Sequence, residues 1–193
     1  MPTPPASERL HTPTLTVITG GMFAGKSEET QRRMRREQIA KRPFVLLRPS
    51  LDTRTREAIS HAGRRMRGVR AHVVDVDSAR RPHVPSGVRT VFIDEGQFFG
   101  PALTAWCDAW LARGLDVVVA GLDTDWTGAP YETMGALLAM CDVPVKLTAV
   151  CKCGGNARHS HRLAAGTARV QVGAAHEYEA LCRTCYREAR AHE

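Results

Sequence analysis

Gly20-x-x-x-x-Gly25-Lys26-Ser27 has the residue types needed to cradle a phosphate chain. Glycines let backbone N–H groups turn toward phosphate oxygens, Lys26 reaches the β- and γ-phosphates, and Ser27 offers a hydroxyl to Mg²⁺. The nucleotide contacts expected from this loop are Gly20, Gly21, Met22, Phe23, Ala24, Gly25, Lys26 and Ser27. A second segment, Thr90-Val-Phe-Ile-Asp94-Glu95, ends an apolar strand in two carboxylates. Asp94 stands where such a strand delivers a carboxylate to Mg²⁺, mostly through water, and Glu95 can take the proton of an attacking hydroxyl or position a water. Cys151-x-Cys153 and Cys182-x-x-Cys185 supply four thiolates, enough to close a structural tetrahedral Zn²⁺ site. The first pair is one residue tighter than the usual zinc hairpin, which leaves His159 and His161 as alternative ligands. Cys107 and Cys141 have no partner at useful spacing and read as packing residues.

These groups need elements to hold them. Strand patterns recur at about 15–19, 43–48, 70–75, 88–93, 116–120 and 145–150. Helical patterns fall at Ser27–Ala40, Ala102–Arg113 and Tyr131–Cys141, the second ended by Gly114. The alternation predicts an α/β fold with a mostly parallel sheet flanked by helices. The P-loop follows the first strand and opens a helix, so unpaired amides and the positive end of the helix dipole meet the anion. Gly121 to Tyr131 forms a glycine-bounded loop just past an apolar strand, where ligands bind in open parallel sheets. Phe98 and Phe99 read first as core, with a ligand platform as the alternative. Pro49 to Gly68 lacks convincing periodicity and reads as a long functional loop. From Cys151 onward, cysteine pairs and short polar runs replace the strand and helix rhythm, which places a domain boundary near residue 150. Residues 1–13 are Pro-rich and read as a disordered leader.

The 193 residues suffice for one large domain with a small appendage, and 43% hydrophobic against 24% charged residues is a globular balance. The net charge of +7 suits polyanionic ligands. Its local cluster, Arg32, Arg33, Arg35 and Arg36, reads as a solvated helix face, with a nucleic-acid patch as the lesser alternative. No signal peptide and no stretch near the roughly 20 apolar residues of a membrane span is visible, so the cytoplasm is the expected compartment and metal binding the expected use of paired cysteines.

Together, Gly20-Gly-Met22-Phe23-Ala-Gly-Lys-Ser27, Asp52-Thr-Arg54, Phe92-Ile-Asp-Glu-Gly-Gln-Phe-Phe99, the Gly121-Leu-Asp-Thr-Asp loop, Lys146-Leu-Thr-Ala-Val-Cys151 and Tyr178 ahead of Cys182 closely resemble the bacterial thymidine kinases of the cellular, zinc-containing type, in the same order over about residues 15–187. The resemblance implies a P-loop α/β domain over 14–150 and a zinc-binding lasso module over 151–193 that covers the nucleoside. It implies transfer of the ATP γ-phosphoryl group to the 5′-hydroxyl of thymidine, and of deoxyuridine, in nucleotide salvage for DNA synthesis. Lys26, Asp94, Glu95, Asp52 and Arg54 are the implied catalytic group, with Ser27 and Asp94 serving Mg²⁺ and Cys151, Cys153, Cys182 and Cys185 holding Zn²⁺. The implied base pocket comprises Met22, Phe98, Leu122, Trp126, Tyr131, Ser160, Val172 and Tyr178. Trp126 and Tyr131 stand where the family has Phe, Ser160 where Thr is common, and Ala174 where a second lasso glycine is usual. A homotetramer and feedback by thymidine triphosphate are further implications, with no membrane and no nucleic-acid partner. Two other readings use the same motifs: a non-catalytic P-loop and zinc protein that binds nucleotide or nucleic acid, and an ATPase that uses Glu95 on water.

Overall fold

The computed structural model describes residues 11–51, 57–59, 65–76, 78, 80–163 and 177–191. A seven-stranded sheet runs in the order β3-β4-β2-β5-β6-β1-β7. Its six parallel members are β1 (Leu15–Thr19), β2 (Phe44–Pro49), β4 (Arg65–Val74), β5 (Thr90–Ile93), β6 (Asp116–Gly121) and β7 (Val143–Lys146), and β3 (Glu57–Ile59) joins β4 antiparallel. The central strands are β-branched runs buried on both faces, as a covered parallel sheet requires. Alternation then sorts their side chains. Leu15, Val17, Val45, Leu47, Val91, Ile93, Val117 and Val119 enter one core with α2 (Ala102–Leu111) and α3 (Glu132–Met140). Ile18, Leu46, Phe92, Val118 and Ala120 enter the other, against Met34 of α1 (Lys26–Ile39).

Beyond β7, β8 (Ala149–Val150) pairs with β9 (Asn156–Ala157), and β10 (His159–Arg162) pairs with β11 (Tyr178–Leu181), both antiparallel. α4 (Arg183–Ala191) follows. Ala149, Cys151, Ala157, Leu181 and Tyr186 form a third, separate small core.

Four sequence expectations are corrected here. The strand read at 145–150 is two strands, because the chain leaves the sheet after Leu147, whose N–H reaches the Thr19 carbonyl at 2.8 Å. The stretch Pro49 to Gly68 is not loop throughout: β3 and the start of β4 lie in it, an edge hairpin whose many arginines hide any apolar alternation. α4 falls outside the helical patterns read from the sequence because it is short and charged and begins within the Cys182-x-x-Cys185 pair, which reads first as metal ligands. Residues 11–13, read as the end of a leader, lie among the described residues. His11 Nε2 lies 3.0 Å from Asp116 Oδ2, and the Thr14 N–H and hydroxyl both donate to Asp116 Oδ1.

Candidate active site

The turn after β1 supplies the most local part of the site. Gly20 (φ 144) and Gly25 (φ 85) take conformations that favour glycine, and a Cβ on Gly20 would lie 2.4 Å from the Leu147 carbonyl oxygen. Phe23 adopts a positive φ of 62 within the same turn. α1 starts at Lys26, one residue earlier than its sequence pattern, with Gly25 as a cap that offers no side-chain hydrogen bond. Its first amides therefore face the loop's concavity without a side-chain cap, and an anion is their natural partner. The Lys26 ammonium curls back over this concavity, donating to the Gly20 and Gly21 carbonyls at 3.0 and 2.7 Å. Met22 and Ala24 are half-buried parts of the same loop.

β5 ends beside it. The Asp94 N–H reaches the Leu47 carbonyl at 3.0 Å, which extends the β2–β5 pairing, and strand alternation puts Arg48 and Asp94 on the α1 face. Arg48, 4% exposed, donates from Nε and Nη2 to Asp94 Oδ2 at 3.3 and 3.1 Å, while Asp94 Oδ1 accepts the Glu95 N–H at 3.1 Å. Ser27, Arg48 and Asp94 line one small cavity with Thr30 and Gln31. Ser27 and Asp94 thus come together as expected for Mg²⁺. A hydroxyl beside a buried carboxylate is an all-oxygen donor set that fits this hard cation. Because both Asp94 oxygens already have partners, water-mediated contact is the natural mode.

Glu95 sits in the left-handed region (φ 54, ψ 45), a strained turn that aims it away from its strand. Gly96 makes the turn possible, since a Cβ there would meet Val119 Cγ1 at 2.6 Å. Gln97 Nε2 donates to Glu95 Oε2 at 2.6 Å, and Gln97 Oε1 accepts the Leu122 N–H at 2.9 Å. The Glu95 carboxylate is therefore tied through one amide to the loop after β6. Arg48 and Gln97 carry no role in the sequence reading. A charge inside the apolar strand Phe44-Val-Leu-Leu-Arg48 was the available signal for the first, because a buried guanidinium requires a partner.

The loop after β6 faces the C-terminal module. Ser160 of β10 accepts the Met22 N–H at 2.9 Å on its Oγ, which joins the P-loop to that module. The Arg162 guanidinium lies 4.0 Å above the centre of the Trp126 ring, a cation–π contact, and pairs across the hairpin with Tyr178. Burial raises the Tyr178 phenol above its ordinary range, with Arg162 opposing. Leu122 packs partly against the first core, whereas Tyr131 is a buried member of it at the start of α3. Phe98 closes the short 3-10 turn Gly96–Phe98 and is half-buried, and Phe99 is core. Asp52, Arg54 and Val172 lie outside the described residues.

The sulfurs of Cys151, Cys153, Cys182 and Cys185 lie within 4.8 Å of one another, as a single tetrahedral zinc ion requires. Backbone N–H groups of Cys153 and then Cys182 draw the Cys151 thiol down to about 6. The neighbouring thiols, Cys182 first, push Cys185 up to about 12. His159 and His161 stand outside this sulfur group, on β10 against the Tyr186 ring. Cys107 is buried in the first core, where burial pushes its thiol up to about 12, and Cys141 packs at that core's edge. Arg32 and Arg33 pair with Glu29 at 2.6 and 2.8 Å along α1, a charged helix face. Among the described residues no helix is long and apolar enough to cross a membrane.

A family model described as thymidine kinase matches residues 13–186. A thymidine kinase of Deinococcus radiodurans is 40% identical over 90% of this chain and 89% of its own. Thymidine kinases of Rhodothermus sp. and Bacteroides fragilis are 39% and 38% identical over 91% of this chain, and over 82% and 87% of their own lengths.

Proposed function

This chain belongs to the thymidine kinase family, and we propose that it moves the γ-phosphoryl group of ATP to the 5′-hydroxyl of thymidine or deoxyuridine, giving the monophosphate for deoxynucleotide salvage. The observation that carries this reading is the Glu95–Gln97–Leu122 chain of hydrogen bonds, which hangs the proton acceptor between the phosphate loop and the loop after β6. A base anchored only to the P-loop side would suit water activation equally. One anchored to an aromatic-lined loop suits an acceptor bound there.

Gly20 to Ser27 holds the triphosphate through backbone amides, with Lys26 leaving its two carbonyls for the β- and γ-phosphates. Glu95 takes the proton from the 5′-hydroxyl as that oxygen bonds to the γ-phosphorus and the bond to the β-bridging oxygen breaks, releasing ADP. Bound beside Ser27 and Asp94, Mg²⁺ would supply charge neutralisation for the phosphate oxygens. Arg48 holds Asp94 by hydrogen bonds at that cavity. Asp52 and Arg54 are assigned to the transferring group, whose charge a guanidinium stabilises. Met22, Phe98, Leu122, Trp126, Ser160, Val172 and Tyr178 surround the base; Tyr131 acts from the core beneath, and Ser160 acts through Met22. Cys151, Cys153, Cys182 and Cys185 hold Zn²⁺, whose chemistry is structural. Residues 14–150 and 151–193 then divide phosphate binding from nucleoside covering. Work in the cytoplasm as a homotetramer, with thymidine triphosphate as feedback ligand, completes the proposal.

The test is radiolabelled thymidine with Mg-ATP. Monophosphate should form, and Glu95→Gln should lower turnover by about 10²–10⁴-fold with ATP affinity unchanged. Normal turnover in that variant removes Glu95 from the chemistry, and phosphate release without nucleoside would replace the kinase by an ATPase.

A further inference from the structure

The C-terminal helix α4 carries the last cysteine, Cys185, in its first turn, yet its inward face is turned to a different part of the molecule. Tyr186 comes directly after Cys185, and its hydroxyl donates to the Trp126 carbonyl at 2.7 Å. Arg190, one helical turn on, reaches toward the Thr127 carbonyl at 3.5 Å and lies 5.7 Å from the centre of the Trp126 ring. The Tyr186 ring is held flat against His159, with centroids 4.3 Å apart and planes 8° from parallel, and His161 meets it edge-on at 6.2 Å. Gly128, with a φ of 85, lets the loop backbone come close, so that a Cβ there would stand 3.5 Å from the Tyr186 hydroxyl oxygen. Trp126 is thus gripped at its backbone by Tyr186 and on one ring face by Arg162.

This geometry has a consequence for the metal cluster. Cys182 and Cys185 straddle the first turn of α4, so whatever fixes their sulfurs fixes where that helix starts. Tyr186 lies on the same turn, and its ring is too tightly stacked to swing independently of it. A closed four-cysteine cluster therefore sets the position of the Trp126 carbonyl, with the indole attached to it.

We propose that Tyr186 is a positioning residue that couples the zinc cluster to the nucleoside pocket, so that the metal holds Trp126 for the base and a bound nucleoside in turn holds the metal. The second half follows from the first, because a coupling free energy between two sites is reciprocal. The proposal rests on Trp126 being a wall of the nucleoside pocket.

Tyr186→Phe tests it, since the ring stack remains and only the hydroxyl is lost. In the full-length zinc-loaded protein, thymidine should slow the transfer of zinc to a chromogenic chelator by about fivefold or more, while ATP alone leaves the rate unchanged. In Tyr186→Phe that protection should vanish, the KM for thymidine should rise about tenfold, and the KM for ATP and kcat should stay within about twofold. Arg190→Gln should weaken the protection in the same direction and by less. Equal protection in wild type and both variants, or a thymidine KM unmoved in Tyr186→Phe, overturns the coupling. So does a change in zinc release that is the same with and without thymidine, because that marks a merely structural tyrosine. Failure of the wild type to phosphorylate or bind thymidine would instead count against the kinase reading itself, and it is read in the same assays before any variant is made.

Discussion

The end of this site proposed to hold phosphate and the end proposed to hold the nucleoside are built by different means. The phosphate end is one contiguous turn plus the tips of two adjacent parallel strands, and its partners are backbone groups, glycines and one buried ion pair. The nucleoside end collects side chains from the loop after β6, the β10–β11 hairpin and α4, and its partners are ring faces and single hydrogen bonds between distant segments. A turn that carries its own geometry keeps it whenever β1 and α1 form. An assembly of separate segments keeps its geometry only while something clamps the segments together. The lesson is that the two ends should fail separately.

Removing the clamp is the strongest way to split them. Cys182→Ser, or exhaustive chelation, should abolish thymidine binding while Mg-ATP binding survives, as calorimetry with each ligand would show. Simultaneous loss of ATP binding would mean that the P-loop depends on the C-terminal module through Ser160 and Met22 far more than its local geometry implies.

A smaller effect comes from inside the phosphate end. Arg48→Met removes the guanidinium that pairs with the Asp94 carboxylate, itself 7% exposed, and should cost about 3–5 kcal/mol in denaturant unfolding. A loss below about 1 kcal/mol would put the stability of these strand ends in their backbone pairing alone.

The smallest effect is a pH dependence confined to the other end. His159 resists protonation, first because it is buried and then because Arg183, Arg158 and Arg187 surround it, with Asp123 alone opposing. Its folded-state value therefore lies below the ordinary 6.5, so on acidification the unfolded chain takes up the proton first. The stability linked to this group is complete above about pH 6.5 and is lost as pH falls through the lower folded value. The melting temperature of wild type should drop on going from pH 7 to pH 5 more than that of His159→Phe, which keeps a flat ring on Tyr186. Equal drops would place the acid sensitivity elsewhere.

How much of this could be read from residues alone follows the same division. The P-loop and Asp94-Glu95 were legible because their function needs particular residue types at fixed spacing within one segment. β1, β5 and β6 were legible because burial on both faces leaves an unbroken apolar run. The β3–β4 hairpin and α4 were not, because arginines mask any alternation in the edge hairpin and α4 is a short charged helix that begins within the cysteine pair. Tyr131 shows the limit of motif position: it fills the expected place in the chain, but its ring belongs to the core under the loop. Gln97 lay inside a motif already noticed, and only its two hydrogen bonds reveal what it connects.

By itself the amino-acid sequence determined the α/β layering, the phosphate loop, the paired carboxylates and the four thiols, since each depends on local pattern or on residue chemistry. Tertiary structure alone decided that Arg48 pairs with Asp94, that Ser160 meets Met22, and that Tyr186 reaches Trp126. Those contacts join residues far apart in the chain, and their existence depends on ångström-level placement of whole elements, which no spacing of residue types encodes.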